Sequence, residues 1–439
     1  PTDAWIEDIA ITLCPLCVFH GVSLGAKFPG ELCHAPFGVG IFQRVRNAPR
    51  MATLAIPEAE VWVAAGTYYP SGTDDRSASF TLGANTQAYG GFNGTESTRN
   101  ERNFTTHQTI LSGLADGGSY HVVKHTNISS TAVLDGFTIT NGQADGLAHT
   151  DNARGAGIFH DNSQVVLRNL KVQSNTATSQ GGGFYSRNGA TSTLTNVAFI
   201  SNSAGAGGAI FTQDSIDGDR CEFTDNQAVE YGGAVMIELA QAASPMKRAT
   251  FTNTVFQNNS LTSAGLGSAL YLRHVDATLH NVTVYGNRAP ENPNAGYLDT
   301  AVYVDSGSVD VRNSILYGNR NPELPAPSFP IERSQIYVPY ENLNGTTAIY
   351  ISNLIQGYRT TGGGGGAQRT APNAVGNFDA DPKFATNTVR PQADSPFIDR
   401  GTGDADAQRG ADLAGEPRKV GSQIDPGAYE FQGTSQVLI

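Results

Sequence analysis

The chain has 439 residues, 50 of them Gly, a net charge of −12 and only 15% charged residues. That charge makes nucleic acid and anionic membrane poor partners. No apolar run reaches the roughly 18 residues a membrane-spanning helix needs, so a helical span is excluded. The composition suits a β-rich chain with many tight turns.

Residues 1–57 differ from the rest and are expected to form an N-terminal cap or extension. The chain starts at Pro1 without an intact secretion signal, as a processed chain would. Cys14, Cys17 and Cys33 lie here, with His20 and His34 nearby. Three readings stay open: a disulfide, a Cys3His zinc site, or free buried thiols. A solenoid end needs cover for its open strands, which gives the segment a structural role.

From residue 58 to 370 a strand-and-turn pattern takes over. Glu60–Tyr68 alternates and then turns, and further strand runs follow up to residue 140. Between Thr131 and Arg320 the pattern becomes a repeat. Blocks end in an Asn six residues after a position usually filled by Asn: Asp135 to Asn141, Asn169 to Asn175, Asn196 to Asn202, Arg220 to Asn226, Asn253 to Asn259, Asn281 to Asn287 and Asn313 to Asn319. Between them comes a small residue followed by two apolar ones, beginning at Gly157, Gly183, Ala209, Ala234, Ala269 and Ala301. These steps are 26, 26, 25, 35 and 32 residues apart.

The runs are rich in Val, Ile, Phe and Thr and too short for helices. A unit of this length cannot bury its own apolar face, but a stack of units can. The reading is an all-β, right-handed parallel β-helix. Its Asn residues either form a hydrogen-bonded ladder between coils or occupy left-handed turns. Cys221 falls where other coils carry Leu170, Val197 and Val282, and reads as core. Residues 371–439, rich in Asp, Gly and Pro, are expected to fold over the C-terminal end. Their aspartates, Asp412 and Asp425 among them, read first as turn caps, and a Ca2+ site there is the alternative.

Several stretches carry a resemblance. Val61–Tyr68, Tyr89–Glu96, Thr109–Gly113 and Leu134–Ile139, with the tail motifs Asp381-Pro-Lys-Phe384, Ser395–Asp399, Asp412–Arg418 and Asp425–Glu430, resemble bacterial parallel β-helix proteins of the choice-of-anchor Q type. The Gly-Gly-Ala-Ile steps also resemble polymorphic outer-membrane protein repeats. The resemblance spans about residues 58–432. It implies an exported or surface-attached bacterial protein and brings no catalytic set, since fold alone does not give function.

Strand alternation places candidate chemistry on the solenoid's side. With Ile158, Phe184, Ile210, Val235, Leu270 and Val302 inward, the next position faces out. That outer stripe is Phe159, Tyr185, Phe211, Met236, Tyr271 and Tyr303. Beside it run Asp161, Arg187, Gln213, Glu238, Arg273 and Asp305. Tyr185, Arg187, Phe211, Tyr271, Arg273 and Tyr303 are therefore candidates to bind a polysaccharide, by ring stacking and charged hydrogen bonds. The reverse parity would bury the aromatics as an ordinary core stack. His149, Asp151, His160 and Asp161 form the densest titratable group. His160, Asp161 and Glu238 are the catalytic candidates, and Asp214, Asp217 and Asp219 the candidates for Ca2+.

Three functions follow as expectations. The first is a non-catalytic cell-surface adhesin or scaffold that binds a glycan and needs no cofactor. The second is a polysaccharide lyase or glycoside hydrolase. The third is a subunit that self-assembles into a fibre or sheath.

Overall fold

The structure, a computed structural model, describes residues 60–70, 75–114, 118–238, 247–290, 300–320, 331–338, 347–358, 374–403 and 410–433, with strands also assigned at Ile9–Ala10, His34–Ala35 and Gly38–Val45. It is an all-β parallel solenoid. Three parallel stacks run its length, with a smaller fourth one at a corner.

The first stack, here the step sheet, follows each small-residue step. It joins Val123–Thr126, Ile158–Asp161, Phe184–Arg187, Ile210–Thr212 and Val235–Glu238, then continues through 270–273 and 302–304. The second, the middle sheet, runs from Gly38–Val45 and Glu60–Ala64 through Gln87–Phe92 and Ala132–Asp135 to Thr347–Ile351 and Ala374–Val375. The third, the ladder sheet, links Thr109–Ser112, Phe137–Thr140, Glu222–Thr224, Val255–Gln257, Thr283–Tyr285, Ile315–Tyr317 and Leu354–Ile355. The stack thus reaches beyond residues 58 and 370 at both ends.

Both readings of the Asn pattern hold, at different positions. The first Asn of each block, as in Asn169, Asn196, Asn253, Asn281 and Asn313, has φ between 48 and 56° and turns the chain from the middle to the ladder sheet. Asn tolerates that left-handed conformation better than other side chains with a Cβ. The second Asn makes the ladder. Asn202, Asn226 and Asn259 are fully buried. Asn226 Nδ2 donates to Asn259 Oδ1 at 2.9 Å and to Phe199 O at 2.8 Å, while its Oδ1 accepts from Asn202 N and Nδ2, both at 3.0 Å. Every donor and acceptor site of the amide is used, which is what lets a polar group sit in the core.

One block shifts register. Thr138 pairs with Lys171, so Asn141 stands opposite Ser174 rather than Asn175. Asn141 takes the left-handed turn (φ 61°), and the ladder begins at Gly142, whose N–H donates to Asn175 Oδ1 at 2.9 Å. Gly142 has no room for a side chain, since a Cβ there would come 2.0 Å from Ala156 O.

The main core is aliphatic and aromatic. Phe199, Phe223 and Phe256 stack face to face on successive rungs, at 5.1 and 4.6 Å. Cys221 is buried among them, and burial pushes its thiol up to about 12. The described part of the tail packs beside the solenoid. It lies along the outer face of the ladder sheet, where Val389 and Ala428 pack on Val255, and Phe397 packs on Ile315 and Leu354. Strand alternation explains this, because Val255 and Ile315 point outward and need cover.

Candidate functional site

The expected aromatic platform is not open. Ile158, Phe184 and Ile210 do face the main core, and Phe159, Tyr185, Phe211, Met236, Tyr271 and Tyr303 form a separate cluster on the other side of the step sheet. That cluster is buried as well: Tyr185 is 1% exposed, Phe211 0%, Tyr271 and Tyr303 7%. The returning chain covers it, with Ala206, Tyr231 and Leu266 packed on the rings. The returns before Ile158, Phe184, Ile210, Val235 and Leu270 end in a left-handed glycine, at Gly155, Gly181, Gly207, Gly232 and Gly267. At Gly181 and Gly207 a Cβ would come 2.3 and 2.2 Å from a carbonyl oxygen three residues on. These turns fold the arm back onto the sheet. Tyr185 stacks on Phe159 and Phe211 at 5.3 and 5.6 Å, so the stripe is a second core.

The charged row is paired internally. Arg187 bonds Asp161 at 2.6 Å and Asp151 at 2.7 Å. Arg273 bonds Glu238 at 2.9 Å and Asp305 at 3.3 Å. Burial alone would raise the Asp161 carboxyl, but bonds from Arg187 and Asn188 bring it below its usual range. Both arginines, with Asp161 and Glu238, are engaged in ion pairs along the row.

His160 does not join Asp161. Adjacent strand residues point to opposite faces, so His160 lies in the core, 0% exposed, with its Nε2 2.7 Å from His125 Nδ1. Asp214, Asp217 and Asp219 also diverge. Asp214 is buried, pairs with Lys247 at 2.7 Å and accepts the N–H groups of Gly189 and Ala190. Asp217 is exposed on the strand, and Asp219 accepts from Thr252 and Asn253. Among the described residues no group of three or more His, Cys, Asp or Glu is placed to hold a metal. The tail carboxylates do cap turns: Asp412 Oδ1 accepts from Ala414 and Glu416, and Asp425 from Asp399 and Phe431. Cys14, Cys17 and Cys33 fall outside the described residues.

The open aromatic pair lies elsewhere. Tyr285 and Tyr317 are in register on neighbouring rungs of the ladder sheet, facing out and half-buried. They border a cleft of about 720 Å3 whose other wall is the tail loop 381–394. Phe384 meets Tyr285 edge-on at 5.2 Å. Gly318, in a left-handed turn, lies beside the Tyr285 ring, and a Cβ there would come 3.1 Å from it. Burial, then the charges of Asp381 and Asp379, push the Tyr317 phenol above its usual range. The loop is braced from within. Lys383 Nζ pairs with Asp394 at 2.7 Å, Lys383 N donates to Asp381 Oδ1, and Gln392 Nε2 donates to Phe384 O. Gln257 and Asn258 extend the rim with amides.

The sequence held a signal for this pair. The residue two before each ladder Asn faces outward, and at Tyr285 and Tyr317 it is aromatic. The loop opposite contains the Asp381-Pro-Lys-Phe384 motif.

The fold and cleft define the class, a parallel β-solenoid with a surface cleft between sheet and tail. Neither family models, curated proteins nor solved structures give a match to the chain. No helix among the described residues is long and apolar enough to cross a membrane.

Proposed function

We propose that the protein is an exported, cell-surface β-helix, right-handed and of the choice-of-anchor Q type, that binds a polysaccharide without turning it over. The observation that carries this reading is the Tyr285–Tyr317 pair. The two residues are one rung apart, about 4.8 Å between strands, beside a rim of amides and charges. Sugar rings stack on aromatic faces, and hydroxyls bond amides and carboxylates. A chain running along the solenoid axis would meet one rung after another.

A second reading rests on the same cleft. Asp381 and Asp394 both border it, on either side of Lys383, and two carboxylates are what a glycoside hydrolase uses. One assay separates the two. Purified protein is screened on a polysaccharide array and, in parallel, for release of reducing or unsaturated ends. Retention without release, lost in Tyr285→Ala and Tyr317→Ala, supports the binder. Release that stops in Asp394→Asn and Asp381→Asn replaces it with the hydrolase. Neither retention nor release on any polysaccharide overturns both.

A further inference from the structure

A row of left-handed residues, one per rung, runs along the edge of the ladder sheet from Gly136 to Ser352. On the later rungs the chain's own tail occupies it. Asn313 brackets Thr402: Nδ2 donates to Thr402 O at 2.6 Å, and Oδ1 accepts from Thr402 N–H at 2.8 Å. The Ser352 and Thr402 hydroxyls bond at 2.9 Å, and Gly427 N–H donates to Asn313 O at 2.7 Å. A primary amide has one carbonyl and N–H donors, so it can match both polar groups of one extended residue.

On the earlier rungs Gly136 is buried beneath the Arg102 guanidinium, whereas Asn169 and Arg220 are half-buried and Asn196 is exposed among the described residues. Gly136, Asn169, Asn196 and Arg220 line a groove of about 270 Å3. Phe104 stands at one end, on a segment that Arg102 ties to Asp135 at 2.7 Å. Tyr429 and Leu413 of the tail stand at the other, packed next to Val255. The floor amides are held in place, since Asn196 Nδ2 donates to Asn169 Oδ1 and Asn169 Nδ2 donates to Asp135 Oδ1, each at 2.8 Å. The Asn196 oxygen accepts no hydrogen bond from the described residues.

We propose that this groove is a second binding site, for an extended polypeptide segment, with Asn196 bracketing one of its residues as Asn313 brackets Thr402. Rungs 169 to 220 span two steps of about 4.8 Å, so about 10 Å, the reach of about three extended residues. Phe104 and Tyr429 offer apolar contact at the ends, and exposed Lys171 offers a partner to an acidic side chain. This stands apart from the glycan reading, because Tyr285 and Tyr317 take no part.

The probe is a fluorescein-labelled peptide copying residues 396–403, which carries Phe397, Asp399 and Thr402. Fluorescence anisotropy with the full chain should show saturable binding. Removing a bracketing pair of hydrogen bonds should weaken it about tenfold. That loss is expected for Asn196→Gly, a substitution the left-handed turn accepts, and a smaller one for a peptide N-methylated at its Thr, which removes only the N–H donor of the pair. An unchanged thermal melt would show that Asn196→Gly folds. Absence of saturable binding overturns the proposal. So does binding that survives Asn196→Gly but disappears in Asn313→Gly, which would put the peptide on the tail's own seat.

Discussion

His125 Nδ1 and His160 Nε2 lie 2.7 Å apart inside the solenoid, and neither residue is more than 1% exposed. The pair meets the edge of Phe184 at 4.9 Å, with the Ser186–Thr212 hydroxyl pair on the rungs beyond. Burial pushes His125 down to about 3 and His160 well below its ordinary value, with the His125 charge adding to the second shift. His121, also buried, is pushed to about 4. The folded chain therefore refuses protons that the unfolded chain takes below about pH 6.5. Stability should fall as pH drops below 6.5, by about 1.4 kcal/mol per pH unit for each such histidine. Denaturant midpoints from pH 7 to pH 5 check this. The slope should flatten in a His125→Leu/His160→Leu double variant, and an unchanged slope would refute the assignment.

Glu430 acts with the opposite sign. Burial pushes its carboxyl up to about 7, with the Asp425 charge a smaller contribution. The native state holds this proton where the unfolded state has lost it. Its stabilisation is full below about pH 4.5 and is lost as pH rises toward 7. Glu430→Gln should remove that loss, which opposes the gain from the buried histidines, so its midpoint should rise more than the parent's between pH 5 and pH 7.5.

The two kinds of Asn should differ sharply. Asn226→Ala strands the donors of Asn202 and leaves Asn259 Oδ1 with one donor fewer, all in the core. A cost of about 3 kcal/mol or more is expected from unsatisfied buried groups. Asn253→Gly keeps the left-handed turn and gives up one bond, to Asp219, so it should cost about 1 kcal/mol or less. Equal shifts in melting temperature would contradict the ladder.

The two tyrosine rows should separate binding from stability. Tyr185→Ala empties a buried stack and should cost about 3–5 kcal/mol. Tyr285→Ala and Tyr317→Ala remove half-buried rings and should weaken retention on the bound polysaccharide about tenfold, with a smaller effect on melting. Isothermal titration beside calorimetry reads both quantities. Weakened binding confined to Tyr185→Ala would return the site to the step sheet.

Lys247→Met tests a buried carboxylate. Asp214 is 1% exposed, and Lys247 is its one cationic partner among the described residues. The Gly189 and Ala190 N–H groups would remain, so a loss of about 2 kcal/mol is expected. The double variant Lys247→Met/Asp214→Asn should recover part of it.

Much of the architecture was legible in the chain because a stack repeats its physics at every rung. The Asn spacing marks two turns per coil, and the alternation after each small-residue step separates Phe184 from Tyr185. At Asp135 the spacing misled, because one left-handed Asn looks like another until strand pairing sets the register. Gly142, with no side chain to count, hides the start of the ladder.

Sequence alone determined the parallel coil and the core place of Cys221, since these depend on local period and on burial that neighbouring rungs must share. Only the tertiary structure decided which outward residues meet solvent. Tyr185 and Tyr285 occupy equally outward positions, but the glycine turns fold a return arm over the first and the tail stops beside the second. Pointing away from a core is a property of the strand, whereas exposure depends on what the rest of the chain lays on top.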